Sequence, residues 1–511
     1  MLRQTVTSSD GAFWRAGSTE IAAYAAAFVT VGWALYLLLL SDAAWLHPEV
    51  LGSSSYIWIA PGQESIAAML RKVFDWQAFD PNVNRVRPLN DLFEVIDAIA
   101  RPYITLLVGI QASLNISTVL TFVIAPALMF GWLRRVAGAI VPTVILVAIF
   151  ISTTAFLSLT VAYLHPAKKL NLIFLCASLY FAERISTGEK GWNIQWMCLS
   201  LLGGFFSDEL GLSNFVVVCV IYWRELLVDR RRILLLVLPV VFLATTKWIL
   251  PVAYLQFGVH GAWNAFDDHK KLTVFAYLID GEFYQACASQ LARSILSTVG
   301  ISVHTPATEA LTLVVLIGAP ALHVIRSRLY SLAELARDRC VLATLALILA
   351  NGYASLLDWY PFPHEVSYLG SFNYYYHSPI AVLVLVWLAF AFQAFRIYLA
   401  PQVVLAMGLI VIISNFLIFR NVNELVEIIH YYPNSRASIF KALEEGSLAD
   451  LSPNRPAEEQ AFEVAAKRVF DDRWQQNGFY LIHKSFADRD IFVMNADHLK
   501  LLLHAYRPWA K

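Results

Sequence analysis

Ile21-Ala-Ala-Tyr-Ala-Ala-Ala-Phe-Val-Thr-Val-Gly-Trp-Ala-Leu-Tyr-Leu-Leu-Leu-Leu40 contains no charged side chain. A helix of about twenty residues, at 1.5 Å each, matches a hydrocarbon core of roughly 30 Å. Arg3 and Arg15 precede the run, and no convincing A-x-A cleavage site accompanies it. It therefore reads as an uncleaved anchor and not as a removed signal peptide.

The rest of the chain repeats that pattern. Hydrophobic residues make up 58% of 511 residues, charged residues 15%, and mean hydropathy is +0.58. That is more apolar surface than a soluble core can bury, so the expectation is an all-α polytopic membrane protein. The 38 basic and 38 acidic side chains cancel, and nothing in the charge balance points to nucleic acid. Cys176, Cys198, Cys219, Cys287 and Cys340 show no paired spacing, so neither a disulfide framework nor a zinc site is suggested.

Apolar runs place about eleven spans, near residues 20–40, 103–133, 136–157, 168–185, 192–207, 211–228, 233–256, 307–326, 340–357, 379–396 and 401–419. The second run exceeds a simple span, which predicts tilt, a kink or an interfacial portion. With the N-terminus (1–19) on the cytoplasmic side, every short inner loop carries a base: Arg134 and Arg135; Arg184 and Lys190; Arg224 with Arg230, Arg231 and Arg232; Arg326, Arg328, Arg337 and Arg339; Arg396. The outer face then receives residues 41–101, the His165-Pro166 turn, Ser207-Asp-Glu209, the loops 256–306 and 357–379, and everything beyond Arg420. Charge rises in that last part. A helical pattern at 457–474, strand-like runs at 479–483 and 490–494 and a helix at 497–506 predict a small extracytoplasmic α/β cap over 421–511.

The polar insert 41–101 is far longer than an ordinary connection, and such loops are usually functional. Its Trp45, Trp58, Phe74, Trp76 and Phe79 argue for order. Glu64 starts an amphipathic stretch and could act as a general base or hold a metal ion; the plainer reading is a charge favoured at a helix start. Arg85 and Arg87 could grip a phosphate bidentately, or pair with Asp80 or Asp91 to fold the loop. Lys168 and Lys169 follow His165-Pro166 at an outer helix start, where they could attract a lipid phosphate or simply snorkel. Asp208 and Glu209 sit where two apolar runs meet, facing a cavity or capping the next helix. The aromatic segments 358–364 and 372–377, with Tyr375 and His377, could stack on a sugar, line an isoprenoid groove or form an interfacial belt. Asp267-Asp-His269 is a poor metal cluster because adjacent residues do not easily converge. No P-loop, dinucleotide fingerprint, zinc-protease helix or nucleophile elbow occurs.

The order of these features carries a resemblance. An anchor helix, a long outer loop with Arg87-Pro88-Leu89, an outer His165-Pro166, Ser207-Asp208-Glu209, and a late Tyr374-Tyr-Tyr-His-Ser-Pro379 together resemble the GT-C superfamily of polyprenol-dependent membrane glycosyltransferases, notably the protein O-mannosyltransferase-like branch, over roughly residues 20–390. The resemblance implies transfer of a sugar from a polyprenyl-phosphate carrier to a lipid, glycan or protein hydroxyl, on the extracytoplasmic side of a bacterial inner membrane. It assigns Glu64, Asp208 and Glu209 to catalysis. Arg85, Arg87, His165, Lys168, Lys169, Tyr375 and His377 become substrate-binding residues. It implies no certain cofactor, with a divalent metal as the one to be considered, and membrane lipids or an outer-face protein as further partners. Where the family commonly places an Asp-Glu or Asp-Asp pair, this chain has Gln63-Glu64. Two rival readings stay open: a non-catalytic GT-C-like subunit that binds a partner protein or lipid, and a transporter of a lipid-linked sugar.

Overall fold

The computed structural model describes residues 17–40, 115–162, 166–189, 191–208, 210–228, 279–302, 305–359, 374–395 and 400–422, together with single helical positions between 89 and 100 and between 232 and 241. In chain order the elements are α1 (Ser18–Leu40), α2 (Ile116–Ala137), α3 (Ile140–Ser152), α4 (Thr154–Leu157) with a π-helical turn (Ser158–Ala162), α5 (Pro166–Ser186), α6 (Asn193–Ser207), α7 (Gly211–Leu227), α8 (Gly281–Thr298), α9 (Pro306–Ser327), α10 (Leu332–Leu335), α11 (Arg339–Trp359), α12 (Tyr374–Phe395) and α13 (Pro401–Val422). No strand occurs among the described residues.

Six of these helices, α1, α2, α9, α11, α12 and α13, are long and apolar enough to cross a membrane, and α3 with α4 forms a seventh candidate bent by 53°. The described residues form an all-α assembly of the multi-pass membrane type. Their outer faces are apolar, as a lipid environment requires: Phe28, Leu311, Val314 and Ile410 are all well exposed.

Local chemistry explains the helix limits. Asn115 accepts the Thr118 N–H and starts α2; Gly138, at φ 69°, ends it in the left-handed conformation that glycine reaches without Cβ strain. Thr305 forms a capping box ahead of Pro306 and opens α9. At Thr153 the backbone leaves helical geometry (ψ 142°), and its hydroxyl caps the Phe156 N–H, so the span breaks there and restarts.

Two expectations change. The run placed at 103–133 corresponds to one span-length helix starting at Ile116, because Asn115 supplies the cap; residues 101–114 lie outside the described part. The outer loop expected at 256–306 contains α8, capped by Asp280 accepting the Glu282 N–H. Its polar residues point to one face and pair locally, as in Arg293 with Glu309 of α9 at 2.7 Å, so an amphipathic helix replaces a loop. Of the proposed cap over 421–511, residues 421 and 422 belong to the end of α13; 423–511, with most of 41–101 and 233–256, lie outside the described residues.

The helices run between two chemically distinct ends. At one end, Arg339 at the start of α11 hydrogen-bonds Glu183 near the end of α5 and Glu225 near the end of α7. Its guanidinium stacks over Tyr222 and Phe390. Arg135 and Arg184 both reach Glu189 there, at 3.0 and 2.6 Å. It follows that α2, α5, α7 and α12 all begin at the opposite end, where α6 and α11 finish.

Candidate functional site

At that opposite end a polar knot is built from four helix termini. The backbone N–H of Ser117 donates to Asp97 Oδ1 at 2.9 Å, and Asn115 Oδ1 accepts from the Ser117 hydroxyl and the Thr118 N–H. Lys169, in the first turn of α5, donates to Thr118 Oγ1 at 2.6 Å. Its neighbour Lys168 donates to Asp208 Oδ1 at 2.6 Å, with both side chains fully removed from solvent. Asp208 Oδ1 also accepts the Leu210 N–H, and its carbonyl accepts the Gly211 N–H. One residue therefore ends α6 through its backbone N–H, accepts the Leu210 N–H just ahead of α7 and holds α5 through its carboxylate.

Below this layer, Asn214 of α7 donates to both Oδ1 (2.8 Å) and the carbonyl (3.2 Å) of Asn171 in α5. Glycines allow the approach. A Cβ on Gly211 would stand 2.4 Å from the carbonyl carbon of Gly204, backbone against backbone. No other residue fits at that crossing.

Burying two ions is costly. Their mutual attraction compensates only when hydrogen bonds complete both shells, and removing either partner is severe. The arrangement has a clear electrostatic sense. The amino-terminal ends of α2, α5 and α7 each present about half a positive charge, and two ammonium groups lie among them. An anion at this end would be stabilised by the same groups.

The structure brings together Lys168, Lys169 and Asp208 from the sequence-derived set. Glu64, Arg85, Arg87, His165 and Glu209 lie outside the described residues; Tyr375 and His377 fall in the first turn of α12, which begins at this same end, but their side chains are not described. Lys168 and Lys169 are fully buried side chains engaged with protein partners, so the snorkelling alternative fails for both. Among the described residues, no group of three or more His, Cys, Asp or Glu could hold a metal ion.

Sequence reasoning missed Asn115, Thr118, Asn171 and Asn214. Asn115 was recoverable as a cap residue ahead of an apolar run. Asn171 and Asn214 were recoverable as polar side chains within spans, where an amide must find a partner. Their mutual pairing depends on helix rotation and was not readable from spacing.

A second network lies at the basic end. Trp132 donates to Tyr222 Oη at 2.8 Å, and Tyr222 donates to Glu183 Oε2 at 2.9 Å, beside Arg339. Next to it, burial pushes the Glu189 carboxyl up, but hydrogen bonds from Arg184 and Arg135 outweigh this and hold it below the ordinary carboxylate range. The chain matches no protein-family model, no curated protein and no solved structure at a significant level.

Proposed function

We propose that this protein is an integral-membrane glycosyltransferase that moves a sugar from a polyprenyl-phosphate carrier to a hydroxyl of a lipid, glycan or protein acceptor. The observation that carries the proposal is the convergence of Lys168, Lys169 and Asp208 at the end of the bundle where α2, α5, α7 and α12 begin. Helix amino ends and ammonium groups suit the carrier phosphate, while the outer loop 41–101 supplies Arg85, Arg87 and the base Glu64. In this reading Lys168 and Lys169 set the positive potential of the phosphate site from within the protein. Asp208 fixes Lys168, and Glu209, next to it in the sequence, is the second carboxylate this reading assigns to catalysis.

The finer topology belongs to the same proposal. About eleven spans place the N-terminus in the cytoplasm and the 421–511 cap outside a bacterial inner membrane.

One observation favours the non-catalytic alternative. Asp208 and Lys168 pair at 2.6 Å in full burial, which is how a structural ion pair looks.

The deciding experiment is native mass spectrometry of the full-length protein in nanodiscs with a polyprenyl phosphate. It is paired with transfer of labelled sugar to membrane acceptors by wild type, Glu64→Gln and Arg87→Ala. The transferase reading expects selective retention of polyprenyl phosphate over phosphatidylglycerol, transfer lost in Glu64→Gln, and weaker carrier retention in Arg87→Ala. Equal retention of the two lipids together with no transfer would leave the non-catalytic subunit as the reading.

A further inference from the structure

The connection between α9 and α11 carries charge that no acid among the described residues neutralises. Arg326 lies in the last turn of α9 and Arg328 directly follows the helix; both are exposed, and neither side chain has an acidic partner among the described residues. The described acids at this end are already engaged. Glu183 and Glu225 accept from Arg339, Glu189 accepts from Arg135 and Arg184, Glu334 accepts the Ser331 N–H, and Asp338 pairs with His323 at 2.8 Å. Two arginines are left over at the end of a span.

Hydrogen bonds hold this connection in one shape. Asp338 also accepts the Val341 N–H, Ser331 and Glu334 form the capping box that opens α10, and Trp223 of α7 donates to the Ala336 carbonyl at 2.5 Å. Among the described residues, Arg328 is the one non-glycine position with a positive φ, at 54°. Glycine or asparagine takes that conformation at less cost, so an arginine there keeps a charge at the helix end against the backbone preference.

Position relative to the bilayer selects the occupant. Of the six span-length helices α9 buries the smallest share of itself, and its outer row of Leu311, Val315 and Leu322 is exposed. Arg326, four residues after Leu322, continues that row, because residues four apart share a helix face. At 22 residues α9 is about 33 Å long, which carries Arg326 and Arg328 to headgroup level. Tyr330 and Leu332, 74% and 85% exposed, follow with the aromatic and apolar groups suited to that layer. A guanidinium matches the oxygens of a phosphate bidentately. We propose that Arg326 and Arg328 hold the phosphate of an anionic phospholipid in the leaflet at this end, with its acyl chains along Leu322 and Val315 of α9. The site lies at the end opposite the Lys168 and Asp208 knot and does not rest on the transferase reading.

The test is native mass spectrometry of the full-length protein released from phosphatidylcholine nanodiscs that contain phosphatidic acid. Wild type is expected to retain phosphatidic acid in preference to phosphatidylcholine. Arg326→Gln with Arg328→Asn, in which asparagine accepts the left-handed backbone, should weaken that retention about thirtyfold, the effect of two arginines near a membrane surface. The control, Arg135→Gln with Arg184→Gln, removes the same charge from the same end, but from arginines already paired with Glu189, and should leave retention unchanged. If the first double variant does not fold, the wild-type comparison of the two lipids still decides. Equal retention of both lipids by wild type, or undiminished retention in Arg326→Gln with Arg328→Asn, overturns the proposal. Equal loss in the control overturns it too, since net charge alone would then explain the effect. A mass of two chains without bound lipid would give the α9 face to a second copy and also overturn it.

Discussion

Lys168 Nζ lies 2.6 Å from Asp208 Oδ1, and neither side chain touches solvent. Forty residues of sequence separate them, and the contact joins the start of α5 to the junction of α6 and α7. Breaking a buried pair leaves an uncompensated charge, which costs about 3–5 kcal/mol. Asp208→Asn should therefore lower the melting temperature sharply in nanodiscs. The double variant Lys168→Met with Asp208→Leu should recover most of the loss, since no lone charge remains. Full stability in Asp208→Asn alone would contradict the burial of the pair.

The glycine crossing is tighter still. A Cβ on Gly211 meets the Gly204 backbone at 2.4–2.6 Å, and backbone cannot swing aside as a side chain can. Gly211→Ala should cost at least about 1–3 kcal/mol and separate α6 from α7. Gly318, with nothing within 4 Å of an added Cβ, provides the control. Gly318→Ala should be neutral or stabilising by thermal melting.

Tyr222 relays between Trp132 and Glu183 in full burial. Tyr222→Phe leaves the Trp132 N–H and one Glu183 oxygen without that hydroxyl, at a cost of about 1–3 kcal/mol. The prediction is read by denaturation of Tyr222→Phe alone and combined with Glu183→Gln. A coupling energy near zero between the two changes would show that the hydroxyl and the carboxylate act independently.

Glu189 gives a pH-dependent contribution. Its native pKa is lowered from 4.5, so the unfolded carboxyl binds protons before the native one does. The stabilisation is complete above the unfolded value and disappears as pH falls through the native value. Because the carboxylate and both arginines remain partly exposed, the effect is about 0.2–1 kcal/mol. Glu189→Gln should melt slightly lower than wild type at neutral pH, with the difference vanishing at a pH acidic enough to protonate the native carboxyl, below the ordinary carboxylate range. A difference that persists unchanged at that pH would mean the ion pairs are not its source.

Much of the helix layout was legible in the sequence, because a hydrocarbon core demands uninterrupted apolar runs of a fixed length. The runs at 20–40, 307–326, 340–357, 379–396 and 401–419 coincide with α1, α9, α11, α12 and α13. Where the physics was different the reading failed. The helix α8 carries Arg293, Glu282 and Gln290 and so does not register as an apolar run, yet its buried Leu291, Ile295 and Leu296 pack one face inward.

By itself the sequence determined that this chain is helical, apolar and multi-pass, and it singled out Lys168, Lys169 and Asp208 as out of place in such a setting. Composition and run length decide those matters, since the cost of exposing a charge or a bare peptide group to lipid is paid locally. Which ion meets which was decided only by tertiary structure. The pairing of Lys168 with Asp208, Lys169 with Thr118, Asn171 with Asn214, and Asn415 with the ends of α3 and α8 depends on how each helix is rotated and how closely its neighbours approach. Close approaches such as Gly211 against the Gly204 backbone and Gly408 of α13 against Ile145 of α3 belong to that packing, and no periodicity in the chain records them.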